Sequence, residues 1–414
     1  TLMLRRHRET RAVAALADSV NAGLTEPASL HPFIDPVLCI GCGNCTRVCP
    51  EGDVLGLVDG RAALIDPTSC IGHGACADVC PAGAITLVLG SEQRGVDIPW
   101  VSPEFESSVP GIYIAGELGG MGLIRNAMEQ GRQAVEAIHA QLGRGRSKCL
   151  DLVIIGAGPA GIAASITAKS KKMRYLTLDQ DTLGGTVAHF PRRKIVMTAP
   201  VTLPIVGKIR FRETTKEELL GFWKDLIART RIKIRGNQTV TDIARKGDKL
   251  KVTTEKAEFE TRAVLLAIGR RGTPRLLGVP GEELPKVVYR LADPEQYRGQ
   301  KVLVVGGGDS AIEAAVSVAE EPGTQVALCY RGAAFNRAKR KNRLKLEKAV
   351  AAKRLLLILE ANVAEIRDAD VSINVKGKRY KFANDAVIVC AGGVLPTAFL
   401  EGIGLRIDTK TGTA

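Results

Sequence analysis

At 414 residues, with 45% hydrophobic and 25% charged positions, the chain is too long for one ordinary domain and too apolar to be disordered, so about two to four folded domains are expected. A net charge of +14 would suit nucleic acid, but aromatic residues are only 4% and the basic residues are densest at 331–354, where a cofactor phosphate accounts for them. No nucleic acid is therefore expected, and an acidic protein or an anionic membrane surface fits the charge better. Seven of the ten cysteines lie between Cys39 and Cys80 in metal-ligand spacing, which implies a reducing, cytoplasmic compartment. Cys329 and Cys390 sit in apolar runs and read as core; Cys149 has no assignment.

TLML followed by RRHRETR has two readings. It is either the end of an apolar segment meeting a basic cytoplasmic flank, with a membrane anchor upstream of residue 1 and tethering to the cytoplasmic face, or a frayed basic tail. No run reaches the roughly eighteen apolar residues of a membrane span. Residues 9–21 read as a helix within a basic stalk, 1–31, and Pro32 and Pro36 end it.

Cys39, Cys42, Cys45 and Cys49-Pro50 then give C-x2-C-x2-C-x3-C-P, and Cys70, His73, Cys76 and Cys80-Pro81 repeat it with one change. Three thiolates on a tight loop wrap three corners of one iron-sulfur cube while the fourth is carried to the other cluster. One cluster is thus expected on Cys39, Cys42, Cys45 and Cys80, the other on Cys49, Cys70 and Cys76 with whatever His73 provides. Either its imidazole ligates the fourth iron and raises the potential, or that position has no ligand and the cluster is 3Fe-4S; ligation is the favoured reading, because His73 stands where the thiolate is missing. Residues 32–90 resemble the bacterial two-cluster ferredoxins, and the resemblance implies two 4Fe-4S clusters within electron-transfer distance. Zinc fits poorly with an internal repeat that ends each half in Cys-Pro.

Next comes FESSVPGIYIAGELGGMGLIRNAMEQGRQAVEAI, with an amphipathic helix carrying Ile124, Ala127, Met128, Gly131, Val135, Ile138 and Leu142 on one face. It resembles the segment that closes the flavin domain at the C-terminus of thioredoxin-reductase-like flavoproteins. The resemblance implies that Gly116-Glu117 meet the flavin ribityl chain and Arg125-Asn126-Ala127 the pyrimidine edge, with Glu for the family's usual Asp and Asn for its usual Gln. Residues 143–147 read as a linker.

Asp151 to Ile155 is a short β-branched run expected of a strand buried on both faces. Gly156, Gly158 and Gly161 follow as G-x-G-x-x-G, giving a tight turn, close approach to a pyrophosphate and close packing of helix on strand. Pro159 and Ala160 open the helix. The next strand, 174–178, ends in Asp179-Gln180, where a carboxylate can bind a ribose 2′-hydroxyl. By the same resemblance, FAD is expected across 116–127 and 151–186, including Gly185 and Thr186. Residues 181–215 read as a long loop, 216–230 as a helix, and 231–268 as short strands.

A second nucleotide site follows: strand 301–305, turn Gly306-x-Gly308-x-x-Ala311, and a helix from Asp309 and Ser310. The strand 325–330 ends in Arg331, where a carboxylate would select NADH; Arg331 with Arg337 suits a 2′-phosphate, so NADPH is expected over NADH. Most of 339–354 reads as a solvated basic helix face. AVIVCAGG, 386–393, is another strand into a glycine turn, and Pro396-Thr397 resembles the crossover back to the flavin domain.

The expected fold class is α/β: two Rossmann-like doubly wound nucleotide-binding domains of thioredoxin-reductase type plus a small α+β two-cluster ferredoxin domain. The expected order is stalk 1–31, ferredoxin 32–90, permuted flavin-domain segment and linker 91–148, FAD domain 149–285, NAD(P) domain 286–393 and return segment 394–414. The flavoprotein is therefore read as circularly permuted. Thioredoxin reductases carry a C-x-x-C pair before the second glycine motif; here that stretch is VVYRLADPEQYRGQ, which removes that route to disulfides. A nicotinamide carries two electrons and a cluster one, and a flavin converts between them, so the expected function is an NAD(P)H-dependent flavin and iron-sulfur oxidoreductase delivering electrons to a redox partner protein or membrane carrier. No side chain is needed as acid or base for hydride transfer. The alternatives are an electron-transfer subunit of a larger complex, like glutamate synthase small subunits, and a redox-sensing module; a homodimer is compatible with either.

Overall fold

The computed structural model describes the chain apart from residues 1, 22–24, 26, 28–29, 71, 92–94, 121, 144–148, 182, 191, 193–194, 198–199, 212, 271, 336–337 and 413–414, and apart from the side chains of 2–6, 195, 197, 213 and 273. Two compact units share it: Thr1–Val96 with Pro274–Gly393 and Lys410–Ala414, and Asp97–Thr273 with Val394–Thr409. The fold class is as expected.

In the second unit the apolar run around residue 151 becomes the strand Leu150–Ile155, and Leu152, Val153 and Ile154 are fully buried. It lies in a seven-stranded sheet between the parallel strands Tyr175–Leu178 and Glu258–Leu266. Glu258–Leu266 is long enough to pair twice along its other edge. Its first half pairs antiparallel with Lys249–Thr254, and its last three residues pair parallel with Ile112–Ile114. The strand that precedes the glycine motif in sequence therefore belongs to the same sheet.

The helix Ile124–Leu142 covers that sheet together with Pro159–Ser170. Small residues make the crossing close: a Cβ on Gly131 would lie 2.1 Å from the Ala160 carbonyl oxygen. Covered by sheet on one side and helix on the other, Pro159–Ser170 buries every residue from Ala160 to Ala168, and its two buried hydroxyls, Ser165 and Thr167, donate to the Gly161 and Ala163 carbonyls one turn back.

Lys216–Thr230 starts at a capping box, in which the Glu218 N–H donates to Thr215 Oγ1 and the Thr215 N–H to Glu218 Oε2. The expected long loop before it instead holds two short ladders, Ile195–Met197 with Glu213–Thr215 and Val201–Leu203 with Gly207–Ile209. Val201, Leu203 and Ile209 are buried with Leu219 and Trp223, and that burial is what turns a polar-looking loop into strands.

In the first unit, a five-stranded parallel sheet runs Val287–Val288, Ala386–Val389, Lys301–Val305, Gln325–Cys329, Leu355–Ile358, joined by the helices Asp309–Ala319 and Arg340–Ala351. A three-stranded antiparallel sheet, 361–383, packs beside it. The chain crosses between the units at 96/97, 273/274, 393/394 and 409/410.

The cysteine-rich section of this unit pairs His31–Ile34 with Ile85–Val88 and Leu55–Val58 with Arg61–Leu64. The expected stalk is a 20-residue helix, Leu2–Asn21, docked on that second hairpin. Ala12 is 4% exposed, and a Cβ on Gly56 would lie 2.6 Å from its methyl; Ser19 Oγ donates to the Ile65 carbonyl. Among the described residues no helix is long and apolar enough to cross a membrane.

Candidate functional site

The cysteine repeat is matched by its backbone. Cys39, Cys42, Cys45 and Cys49 recur as Cys70, His73, Cys76 and Cys80, each 31 positions later. Gly41 and Gly43, at φ 66° and 73°, recur as Gly72 and Gly74, at 72° and 87°. These left-handed turns favour glycine, and they curl each ligand loop. Cys39, Cys42, Cys45 and Cys80 surround one small cavity; Cys49, Cys70, His73 and Cys76 surround another.

Among the described residues no three histidine, cysteine or carboxylate groups are gathered tightly enough for a single metal ion. The donors instead line two small cavities, four at each. Backbone N–H groups of Ala62 and Ala84 donate to the sulfurs of Cys39 and Cys80 at 3.4 and 3.3 Å. Burial first, then the neighbouring thiols, pushes Cys45 up to about 11, and burial likewise raises Cys49, Cys70 and Cys76. A cationic centre would favour the thiolate form of these sulfurs against that burial. Cys42 and His73, equivalent in the repeat, are both exposed.

The first glycine loop is built by close approach. A Cβ on Gly156 would lie 2.4 Å from the Ala267 carbonyl oxygen, and one on Gly161 1.8 Å from that of Gly156. Gly158 differs, since its nearest such neighbour is Gly185 Cα at 3.9 Å, so its glycine leaves a cradle open at the helix N-terminus, as a pyrophosphate requires. Asp179 is buried and closes the loop, with Oδ2 accepting from the Ala157 N–H at 2.5 Å and Oδ1 from the Asp181 N–H at 2.8 Å. Burial raises its pKa. Its carboxylate is thus a strut of the loop before it is a ribose acceptor; Gln180 beside it is exposed.

The segment before residue 142 meets this loop within the same unit. Gly116, at φ 85°, faces Ala160, and its N–H donates to Gln130 Oε1 at 2.8 Å. Gly185 lies against Gly158, and Thr186 is half-buried beside it. Ala127 is buried, Asn126 half-buried and Arg125 exposed at the start of 124–142. Ala160 is packed against Gly116 and Gly131, and Pro159 fills the first helical position. The sequence reading missed Gln130, and Arg270, which is drawn toward Glu117 and donates to the Asp97 carbonyl at 2.9 Å.

The second loop repeats the first with other partners. A Cβ on Gly306 would lie 2.3 Å from the Cys390 carbonyl oxygen, whereas one on Gly308 would meet nothing within 4 Å, a second open cradle at a helix N-terminus. Ser310 and Arg331 are exposed there; Arg337 lies outside the described residues. Asp309 has partners in the protein: its Oδ1 accepts from the Lys339 N–H at 2.9 Å and from Asn342 Nδ2 at 2.7 Å. It anchors the start of the helix Arg340–Ala351. That helix is not wholly solvated, since Arg343 is half-buried, with its pKa lowered by burial, near Asp66 of the cysteine-rich section.

Residues 153–413 match the model of the pyridine nucleotide-disulphide oxidoreductases, and residues 31–81 that of the 4Fe-4S dicluster domain. The chain belongs to the pyridine nucleotide-disulphide oxidoreductase family. Its N-terminal part is a ferredoxin-type domain, and the cofactors these families imply are FAD, NAD(P)H and a 4Fe-4S cluster. A ferredoxin--NADP reductase of Ignicoccus hospitalis is 30% identical over 182 residues, 44% of this chain and 56% of that protein. The bacilliredoxin reductase of Bacillus subtilis is 26% identical over 267 residues, 63% of this chain and 82% of that one. The chain thus spans about half the length of the first of these relatives. Bacillithiol disulfide reductase of Staphylococcus aureus shares the fold, with a TM-score of 0.56 at 24% identity over 63% of this chain and 81% of that one.

Proposed function

We propose that this chain is an NADPH-dependent flavin and iron-sulfur oxidoreductase that moves electrons between NADPH, FAD and two clusters and exchanges them with a partner protein or membrane carrier. The observation that carries the reading is the joining in one chain of two glycine cradles with two small cavities lined by four donors each, while no cysteine pair precedes the second cradle. Bound FAD exchanges two electrons with a nicotinamide or single electrons with a cluster, which is the conversion these sites require. Gly158 with Gly185 and Gly116 would hold the flavin nucleotide, and Gly308 with Arg331 the pyridine nucleotide. Relatives named ferredoxin--NADP reductase support the pairing of pyridine nucleotide with iron-sulfur protein.

His73 is the fourth ligand of the second cluster in this reading, as the exposed counterpart of Cys42. With one thiolate fewer, that cluster holds the higher potential. His73→Cys should lower one cluster's midpoint in an EPR-monitored redox titration and leave the other; two unmoved midpoints, or a 3Fe-4S signal in the untreated parent, would remove His73 from the ligand set. Exchange with the partner runs through the first cluster, whose loop exposes Cys42 and carries Val37, Leu38 and Ile40 at 86%, 49% and 69% exposure. The test of the function is turnover. Purified protein loaded with FAD and iron should oxidise NADPH with a one-electron dye as acceptor, and failure with every such dye would contradict it.

A further inference from the structure

The residue before Arg331 shapes the second cradle. Tyr330 directly follows the strand Gln325–Cys329 beside Lys301–Val305, its backbone fixed by its N–H donating to the Ile358 carbonyl and by the Ala361 N–H on its own carbonyl. Its ring lies across the loop. A Cβ on Gly307 would stand 2.0 to 2.4 Å from three ring carbons, and one on Gly332 2.7 Å from the ring edge and 3.0 Å from the phenol oxygen. Neither glycine has a left-handed φ, so backbone conformation does not demand glycine at either position. The ring does. On its other side it stacks on Phe335, with centroids 5.1 Å apart and planes 19° from parallel, and Phe335 is buried.

The two rings therefore clip the ends of the short loop 331–334, and the clip rests on the middle residue of Gly306-Gly307-Gly308. Arg331, Ala333 and Ala334 are exposed between the rings. We infer that Tyr330 is a positioning residue for pyridine-nucleotide selection, its ring locking the loop of Arg331 onto the phosphate cradle so that the guanidinium is held where a 2′-phosphate arrives. Holding a long side chain ready in this way saves the entropy that binding would otherwise cost. The inference rests on the reading that this cradle and Arg331 take NADPH.

Dissociation constants for NADPH and NADH, measured by nucleotide fluorescence on the full FAD- and iron-loaded chain, test it. Tyr330→Ala should lower the preference for NADPH over NADH by about tenfold, the low end of what a lost hydrogen bond to a charged group costs, while Tyr330→Phe keeps the stack and the preference. In Arg331→Ala the preference is already lost, so adding Tyr330→Ala should lower it no further. Gly332→Ala, which keeps the tyrosine but displaces its ring, should reproduce Tyr330→Ala, and it decides the matter if the latter does not fold. Equal weakening of both nucleotides, an unchanged preference, or additive losses in the double variant would overturn the role of Tyr330. A wild-type chain that binds both nucleotides equally would instead overturn the reading of Arg331.

Discussion

The two glycine loops share a backbone and differ in what closes them. The first is closed from within by an acid, as buried Asp179 takes N–H groups from both flanks. At the corresponding strand end the second presents exposed Arg331 and a tyrosine ring on its middle glycine. The third position differs as well. Gly161 has no room for a methyl, whereas Ala311 stands there in the second loop and is fully buried. One motif thus serves a loop set rigidly into its sheet and another that presents an outward cation, and what a Cβ would meet tells the two apart.

The largest effect should come from removing what borders the first loop. Deleting residues 95–142 takes away the strand Ile112–Ile114 and the helix crossing at Gly131, and with them the buried Ile112, Tyr113, Ile114 and Ile138. That loss is comparable to the roughly 5–15 kcal/mol that stabilises a typical domain, so FAD should be absent after purification. Stoichiometric FAD in the truncated protein would refute the permuted flavin domain.

Gly161→Ala forces a methyl to within 1.8 Å of the Gly156 carbonyl oxygen and should cost about 3 kcal/mol in chemical denaturation, with loss of FAD. The mirror change in the second loop, Ala311→Gly, should cost only about 0.5–1 kcal/mol, the price of glycine in a helix. Comparable losses would erase the contrast between the loops.

Asp179→Asn leaves two N–H donors facing one acceptor and should cost about 1–3 kcal/mol. Because burial raises the Asp179 pKa, the folded protein keeps a proton that the unfolded chain releases above about pH 3.9, so this group's contribution to stability is greatest at low pH and declines as pH rises toward the folded value. The asparagine variant should lack that decline in a pH series of denaturation midpoints, and an identical slope in both proteins would count against it.

Arg331→Ala should disturb the fold least. It should weaken NADPH by about 1–3 kcal/mol, leave NADH nearly unchanged and move stability by less than about 0.5 kcal/mol. Equal losses for both nucleotides would show that the second loop does not read the 2′-phosphate through its cation.

Much of this was legible in the chain itself because the chemistry is local. Cysteine spacing, the β-branched runs before each glycine motif, and the boundaries of Lys216–Thr230 all follow from neighbours within a few positions. What escaped depends on distant partners. The 2–21 helix reads as a stalk because Ala12 shows no destination until Gly56 is opposite it, and the 195–215 ladders need Trp223 beneath them. The partner of the Asp309 carboxylate, Asn342, lies 33 positions on and shows only in the fold. Tyr330 looks like the last residue of a strand, although two glycines without left-handed φ near it were the available sign.

The most direct test of the central claim, that the two nucleotide sites and the clusters form one electron path, is an anaerobic experiment on the loaded chain in both directions, with flavin followed by absorbance and clusters by EPR. Oxidised protein receives NADPH, and chemically reduced protein, freed of excess reductant, receives NADP+. The account predicts that in at least one direction the cluster signals change together with the flavin, and that Arg331→Ala slows this at low nucleotide. Clusters that keep their state in both directions while the flavin responds would contradict it.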